Sequence, residues 1–334
     1  MKLTDQAAEF DPRPPVPQPV LEGPLAALLE WQAMAEGAYS SNTLRAQKAD
    51  GAIFQEFCEG RGESYLPADP KTIRAFIDNR AKAGKKPATI RRYVATIARV
   101  HVAAGLLNPC SSEAVRLGLK KMGRETSARQ DQAHPLCWTD IKEFIGSAGV
   151  GLRADRERAM LCVAYETLAR RAELVALEVR NVDFHPDGTG QALIRRGKTD
   201  PQGQGRAAYL SRETCRWLKV WLENAKISEG AVFRRLIGRN QVGGSLNPGS
   251  IAPIFKRVAQ WIGMPERMVD KVSGHSTRVG ATQDLAALNI DLSAITQAGG
   301  WKSSRMPLQY AEKITANRSG MARAAALSGR DQAK

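Results

Sequence analysis

The sequence has no apolar run near the ~18 residues that a membrane-spanning helix needs. Its first twenty residues, MKLTDQAAEFDPRPPVPQPV, lack the apolar stretch of a secretory signal. The five cysteines (Cys58, Cys110, Cys137, Cys162 and Cys215) are odd in number, scattered and never spaced CxxC. A disulfide framework and a zinc site are therefore not expected, and a reducing, cytoplasmic setting is. The four histidines are far apart, so no metal is expected either. A GxxxxGK[ST] loop is missing, and with it the usual cradle for a nucleotide cofactor. No cofactor of any kind is expected.

Negative charge is also short. Against 49 Lys and Arg stand 34 Asp and Glu, a net +15 with a pI near 9.8. The imbalance is uneven. Residues 1–40 are acidic, at −4, residues 41–130 carry +9, and the remainder carries +10. Without a membrane span, this balance fits a nucleic-acid partner, or a merely basic surface. Apolar residues make up 43%, enough for packed cores.

Residues 1–24 end in the proline-rich DPRPPVPQPVLEGP and read as a flexible leader. Residues 25–124 have helical periodicity throughout. LAALLEWQAM is apolar. Ser40, Ser41 and Asn42 offer caps for a helix running through Arg45 to Phe57, ended by Gly60. Asp69-Pro70 reads as an N-cap followed by proline at the first helical position. Ile90, Val94, Ile97 and Val100 or His101 form a stripe on a helix over 89–101, with Arg91, Arg92 and Arg99 off it. SSEAVRLGLKKMGRE offers Val115, Leu117 and Leu119, then a basic tail. The polar stretch 125–135 is expected to be a linker that would let two domains close around a partner.

A second domain, 136–334, is also expected to be mostly helical. CWTDIKEFIGSAG and ADRERAMLCVAYETL read as amphipathic helices. In GQALIRRGKTDPQGQGRAAYLS, two strand-like pieces, Ala192–Arg196 and Arg206–Leu210, flank a Gly/Pro/Asp-rich turn and predict a β-hairpin with Lys198 in its loop. The fold class is thus mainly α, two helical domains, the second with a small β-hairpin or sheet.

Several polar residues suit anion chemistry. His275 and Arg278 would share one face of a helical turn, a grip for phosphate; taken alone, the pair fits the start of a solvated helix better. Arg170 precedes Glu173 by three, which alone is an ordinary ion pair. Lys198 alone is a solvated loop lysine, although a loop lysine can also donate a proton to a leaving alkoxide. AGGWKSSRMPLQY, residues 298–310, closes on one of only six tyrosines. Pro307 is tolerable only in a helix's first turn, so the helix carrying Tyr310 is expected to start near Arg305 or Met306.

Read in order, TLARRAEL, RGKT, SGHSTRVGA and QAGGW with Tyr310 nine residues further on resemble the tyrosine recombinase (phage integrase) family. The resemblance spans about residues 25–330. It implies a SAM-like helical DNA-binding domain followed by a catalytic domain. It implies catalytic roles for Arg170, Glu173, Lys198, His275, Arg278, Trp301 and Tyr310. The two arginines would hold the scissile phosphate, His275 would shuttle protons, Glu173 would position the histidine or an arginine, and Trp301 would bond the phosphate or pack the nucleophile's helix. Lys198 would protonate the 5′ oxygen, and Tyr310 would attack to give a 3′-phosphotyrosine. Arg171 stands where an apolar residue is common; the RxxE spacing favours Arg170 as the arginine of the site.

The implied partners are double-stranded DNA with short inverted-repeat sites and other copies of the chain, in a homotetramer that exchanges strands through a Holliday junction. The leader is too short for an additional arm-binding domain, so a simple recombinase is expected. Arg91, Arg92, Arg99, Lys120, Lys121, Lys256 and Arg257 are the candidate DNA contacts; each also reads as an exposed helix face. SGMARAAALSG is small and apolar, and would dock into a neighbouring subunit or fold back on its own domain. A type IB topoisomerase and a catalytically silent DNA-binding protein are the competing readings.

Overall fold

The computed structural model describes residues 23–126, 131–195, 205–238 and 241–330. It divides into two compact units, Met1–Gln130 and Asp131–Lys334.

The first unit is helical: α1 Pro24–Ala35, α2 Ser41–Glu59, α3 Pro70–Lys82, α4 Pro87–Ala103 and α5 Glu113–Glu125. Caps explain most of the boundaries. Ser40 accepts from the Thr43 amide at 3.2 Å, and Asp69 accepts from the Lys71 amide at 2.6 Å ahead of Pro70. Such caps satisfy amides that the helix itself leaves unbonded. Phe54, Phe57, Phe76 and Tyr93 meet between α2, α3 and α4, with Phe76 edge-on to both Phe54 and Phe57 at 5.2 Å. The stripe on α4 includes His101. Its Nδ1 lies 2.8 Å from the Ile97 carbonyl and its Nε2 accepts from the Ala68 amide at 2.9 Å, so the buried ring ties α4 to the start of α3. On α5 the buried positions are Val115, Gly118 and Met122. Leu117, expected on that face, is exposed, because two residues past Val115 is about 200° around the helix.

The second unit contains α6 Trp138–Ser147, α7 Leu152–Glu166, α8 Arg171–Val175, β1 Val182–Phe184, β2 Gly190–Ile194, β3 Arg206–Leu210, α9 Arg212–Asn224, β4 Arg234–Ile237, β5 Gln241–Ser245, α10 Ile251–Trp261, α11 Glu266–Val269, α12 Ser276–Ala287, α13 Leu292–Ala298, α14 Arg305–Ala316 and α15 Gly320–Leu327. The molecule is mainly helical with a small antiparallel sheet. Strands β1, β2 and β3 pair antiparallel in that order, with Gly190 opposite Leu210 and Ile194 opposite Arg206. The third strand β1 and the separate β4–β5 hairpin were not expected.

Helix α7 also departs from expectation. It is buried all round from Asp155 to Ala164 and is not amphipathic. Its polar residues are buried because each has a partner. Asp155 accepts from Asn224 at 2.9 Å, Arg158 donates to the carbonyls of Ile145 and Ala148, and Glu157 binds both Arg156 and Arg257. Below them, Met160, Leu161 and Val163 pack in the core with Trp221 and Phe255. A bond from the Tyr165 hydroxyl to Asp284 at 2.6 Å fastens the end of α7 to α12.

Candidate active site

The site grows from the chain reversal after α7. Leu168 takes φ +47°, uncommon for a leucine, and the chain then enters α8 with Arg170 as its N-cap residue. Glu173, buried in the first turn of α8, accepts from the Arg170 amide at 2.9 Å and from the Arg170 guanidinium at 2.7 Å. The ion pair between these two is therefore part of a cap that fixes the arginine's direction. Of the two functions expected for Glu173, the one visible is holding an arginine. Arg171, at the following position, is exposed.

His275 is the N-cap residue of α12, and Arg278 lies buried in the first turn. Arg278 donates through Nη1 to the Leu168 carbonyl and through Nη2 to the Gly299 carbonyl at 2.9 Å. Burial, then the nearby Arg170 cation, lower its pKa to about 10, leaving it charged at neutral pH. His275 keeps solvent contact, but the surrounding protein and then the cations Arg278, Arg171 and Arg170 pull its pKa below the ordinary histidine value. At neutral pH it is mainly the uncharged imidazole, able to accept a proton.

Trp301 folds back over the end of α13. A Cβ on Gly299 would lie 1.9 Å from Cζ3 of the Trp301 ring, so only glycine permits this path. The ring sits under the Arg278 guanidinium, 4.2 Å from its carbon to the ring centre, and meets the Tyr310 ring at 67° with centroids 6.1 Å apart. Helix α14 begins at Arg305, where Pro307 falls in the first turn and removes no helical hydrogen bond. The Tyr310 carbonyl accepts from Gln283 at 3.1 Å and from Gln132 at 3.2 Å, holding this helix to α12. The structure thus gathers Arg170, Glu173, His275, Arg278, Trp301 and Tyr310. Lys198 lies outside the described residues.

One residue of this region was not foreseen. Arg206, the first residue of β3, donates to the Ala298 carbonyl at 2.9 Å and to the Thr167 carbonyl. In the sequence it is an arginine beginning a strand, with no local signal of this contact.

The expected DNA contacts have mixed surroundings. In the first unit, Arg91 is exposed, while Arg92 binds the buried carboxylate of Asp50 with two bonds of 2.8 and 2.7 Å. Arg99 lies 5.0 Å over the Tyr39 ring. Lys120 and Lys121 are exposed, Lys121 within 3.7 Å of Glu125. In the second unit, Lys256 donates to the Asp270 carbonyl at 3.1 Å. Arg257 reaches inward to Glu157, and with Arg153, Arg156 and Arg235 it lines a cavity of about 400 Å³. Four guanidiniums around one paired carboxylate make that cavity strongly attractive to anions.

Comparison with known proteins matches this arrangement to two family descriptions. Residues 140–316 match the phage integrase family, and residues 31–105 match the phage integrase N-terminal SAM-like domain. The chain is similar to an integrase/recombinase XerD homolog of Selenomonas ruminantium, 28% identical over 83% of this chain and 83% of that protein. It is also similar to the recombinase Cre of Escherichia phage P1, 23% identical over 86% and 88%. Among solved structures, the Tn1549 transposon integrase in complex with circular intermediate DNA superposes with a TM-score of 0.61 over 85% of this chain and 93% of that one, at 15% identity.

Proposed function

From the premise that the chain belongs to the phage integrase family, we propose a site-specific recombinase in which Tyr310 attacks a DNA phosphate held by Arg170 and Arg278. The chain is a tyrosine recombinase, an enzyme that breaks and rejoins DNA strands. The observation that most supports the residue roles is the stacked series Arg278, Trp301 and Tyr310, which sets the only aromatic hydroxyl of this series beside a dehydrated cation.

The reaction is an in-line displacement at phosphorus. A bond forms between the Tyr310 phenolic oxygen and phosphorus, and the bond to the 5′ oxygen breaks. The product is a 3′-phosphotyrosine and a free 5′ hydroxyl. The phosphodiester is already anionic, and its transition state concentrates charge on the non-bridging oxygens. Arg170 and Arg278 stand ready as fixed donors for that charge. Removing one such donor from an active site typically costs about 3 kcal/mol, or ~10²-fold in rate. A phenol ionises near ~10, so its proton must leave as it attacks. His275, uncharged at neutral pH, is the acceptor that fits. Lys198 is assigned the opposite transfer, a proton to the departing 5′ oxygen. Rejoining reverses these steps with the 5′ hydroxyl of the partner strand, so the energy of the broken bond is kept in the covalent intermediate.

Residues 25–124 are assigned to DNA binding and 136–334 to catalysis. Exposed Arg91 and the arginine-lined cavity at Arg257 are the favoured contacts for the DNA backbone. Strand exchange through a Holliday junction needs several active sites, and helix α15 suits their assembly. None of its residues is buried, and Met321 and Leu327 stay 70% and 90% exposed, as expected for a helix that packs on another copy. A homotetramer on short inverted-repeat sites, working in the cytoplasm, is the assembly proposed.

The test has two stages. Fragments that become covalently attached to the protein in digests of its host's replicon DNA define the site. A supercoiled plasmid carrying two copies of that site should then yield deletions or inversions. Relaxed circles without exchange would replace this reading with a topoisomerase.

A further inference from the structure

Arg206 and Arg278 form a matched pair. Each guanidinium donates to one carbonyl of the turn after α7 and one carbonyl at the end of α13. Arg278 takes Leu168 and Gly299, and Arg206 takes the preceding residue of each pair, Thr167 and Ala298. Four adjacent carbonyls in two turns are thus joined by two cations. Arg206 also lies flat on Gly300, whose φ is +59° and where a Cβ would stand 2.8 Å from both Cδ and Nε of the arginine. Burial makes this an expensive place for a charge, and only these carbonyls and the distant field of Glu173 offset it.

Position within the sheet gives the contact a purpose. Arg206 pairs with Ile194 as the last register pair of the β2–β3 ladder. The segment joining the two strands contains Lys198. A proton donor to a leaving oxygen must come within hydrogen-bond reach, and an error of about 1 Å can cost ~10²-fold in rate.

We propose that Arg206 is a positioning residue for DNA cleavage: it fastens the open end of the β2–β3 hairpin to the two turns that carry Arg170 and Trp301, and so aims the segment containing Lys198 at the leaving group. The proposal rests on the assignment of Lys198 as general acid.

The experiment compares two leaving groups. Single-turnover cleavage is measured with the full chain on a duplex carrying its mapped site. The scissile phosphate bears either the ordinary 5′ oxygen or a bridging 5′ sulfur. A thiol ionises near ~8.5 and departs without help, whereas an alkoxide must be protonated. Arg206→Ala is expected to lose ~10²-fold on oxygen and to stay within a few fold of wild type on sulfur, with unchanged DNA affinity. Arg206→Lys, which keeps the charge but not the two-armed grip, should show the same pattern more weakly, and it carries the comparison if the alanine variant does not fold. Equal losses on both substrates, or no loss on oxygen, overturn the proposal. Lys198→Ala separates the two levels of the argument. If sulfur rescues Lys198→Ala but not the Arg206 variants, Arg206 does not position the hairpin. If sulfur rescues neither, the general-acid assignment itself is wrong.

Discussion

The Arg278 guanidinium lies 4.2 Å from the centre of the Trp301 ring, and that ring meets Tyr310 at 67°. The indole therefore supports a phosphate-binding cation while it packs against the nucleophile. A cation–π contact with a desolvated arginine is worth about 2 kcal/mol. Trp301→Ala should slow single-turnover cleavage by roughly 10- to 100-fold, from this loss and the freedom given to Tyr310. Trp301→Phe keeps an aromatic face and should retain most of the activity. Equal loss in both variants would assign the indole N–H a bond to the phosphate instead.

Glu173 accepts two bonds from Arg170, one from its amide and one from its guanidinium. Glu173→Ala should destabilise the second unit by about 1–3 kcal/mol, because it orphans both donors. Glu173→Gln keeps an acceptor and the cap but releases the ion pair. It should unfold near the wild-type midpoint in urea while cleaving more slowly.

Neighbouring arginines on α4 should separate by assay. Arg92 balances the buried carboxylate of Asp50. Arg92→Ala should cost the first unit about 1–3 kcal/mol, most of it from the carboxylate left unpaired. Arg91→Ala should leave the unfolding midpoint unchanged and weaken DNA binding, with a lower dependence of affinity on salt. Denaturation curves and binding titrations at several salt concentrations read the two effects independently.

The pH dependence of cleavage should follow His275. Its pKa is lowered in the folded protein, so the uncharged imidazole persists to pH values below the ordinary ~6.5. The rate should be flat from about pH 6.5 to 7.5 and fall on further acidification, as the ring becomes charged and stops accepting a proton. His275→Gln should be slower and lack this acid limb. The same shift links to stability. The unfolded chain binds the proton more tightly, so this residue's contribution is complete above about 6.5 and is lost as the pH falls through the lowered value.

Sequence and structure agree most where a residue's backbone chemistry is restrictive. Pro307 could sit only in a first helical turn, and α14 begins two residues before it. Asp69-Pro70 likewise marked the start of α3. Short strands were harder to read. β1 has three residues, and β5, QVGGS, contains two glycines that weaken its strand signal. The charges of Arg156, Glu157 and Arg158 disguised a helix buried on every side, because their partners lie far along the chain. Arg206 was hidden for the same reason. Its two carbonyl partners are 39 and 92 positions away, and no local pattern encodes such a bridge. The catalytic series was legible as an ordered set of residue types; the stacking of Trp301 between Arg278 and Tyr310 required three dimensions.

The central claim is that Tyr310 is the nucleophile, and the polarity of the covalent DNA adduct tests it most directly. Wild-type protein incubated with DNA containing its site, quenched in denaturant and digested with protease, should leave a peptide containing Tyr310 on the 3′ phosphate, with a free 5′ hydroxyl on the other side of the break. Tyr310→Phe should bind the same DNA and form no adduct. An adduct that persists in Tyr310→Phe, or a peptide attached to the 5′ end, would contradict the account.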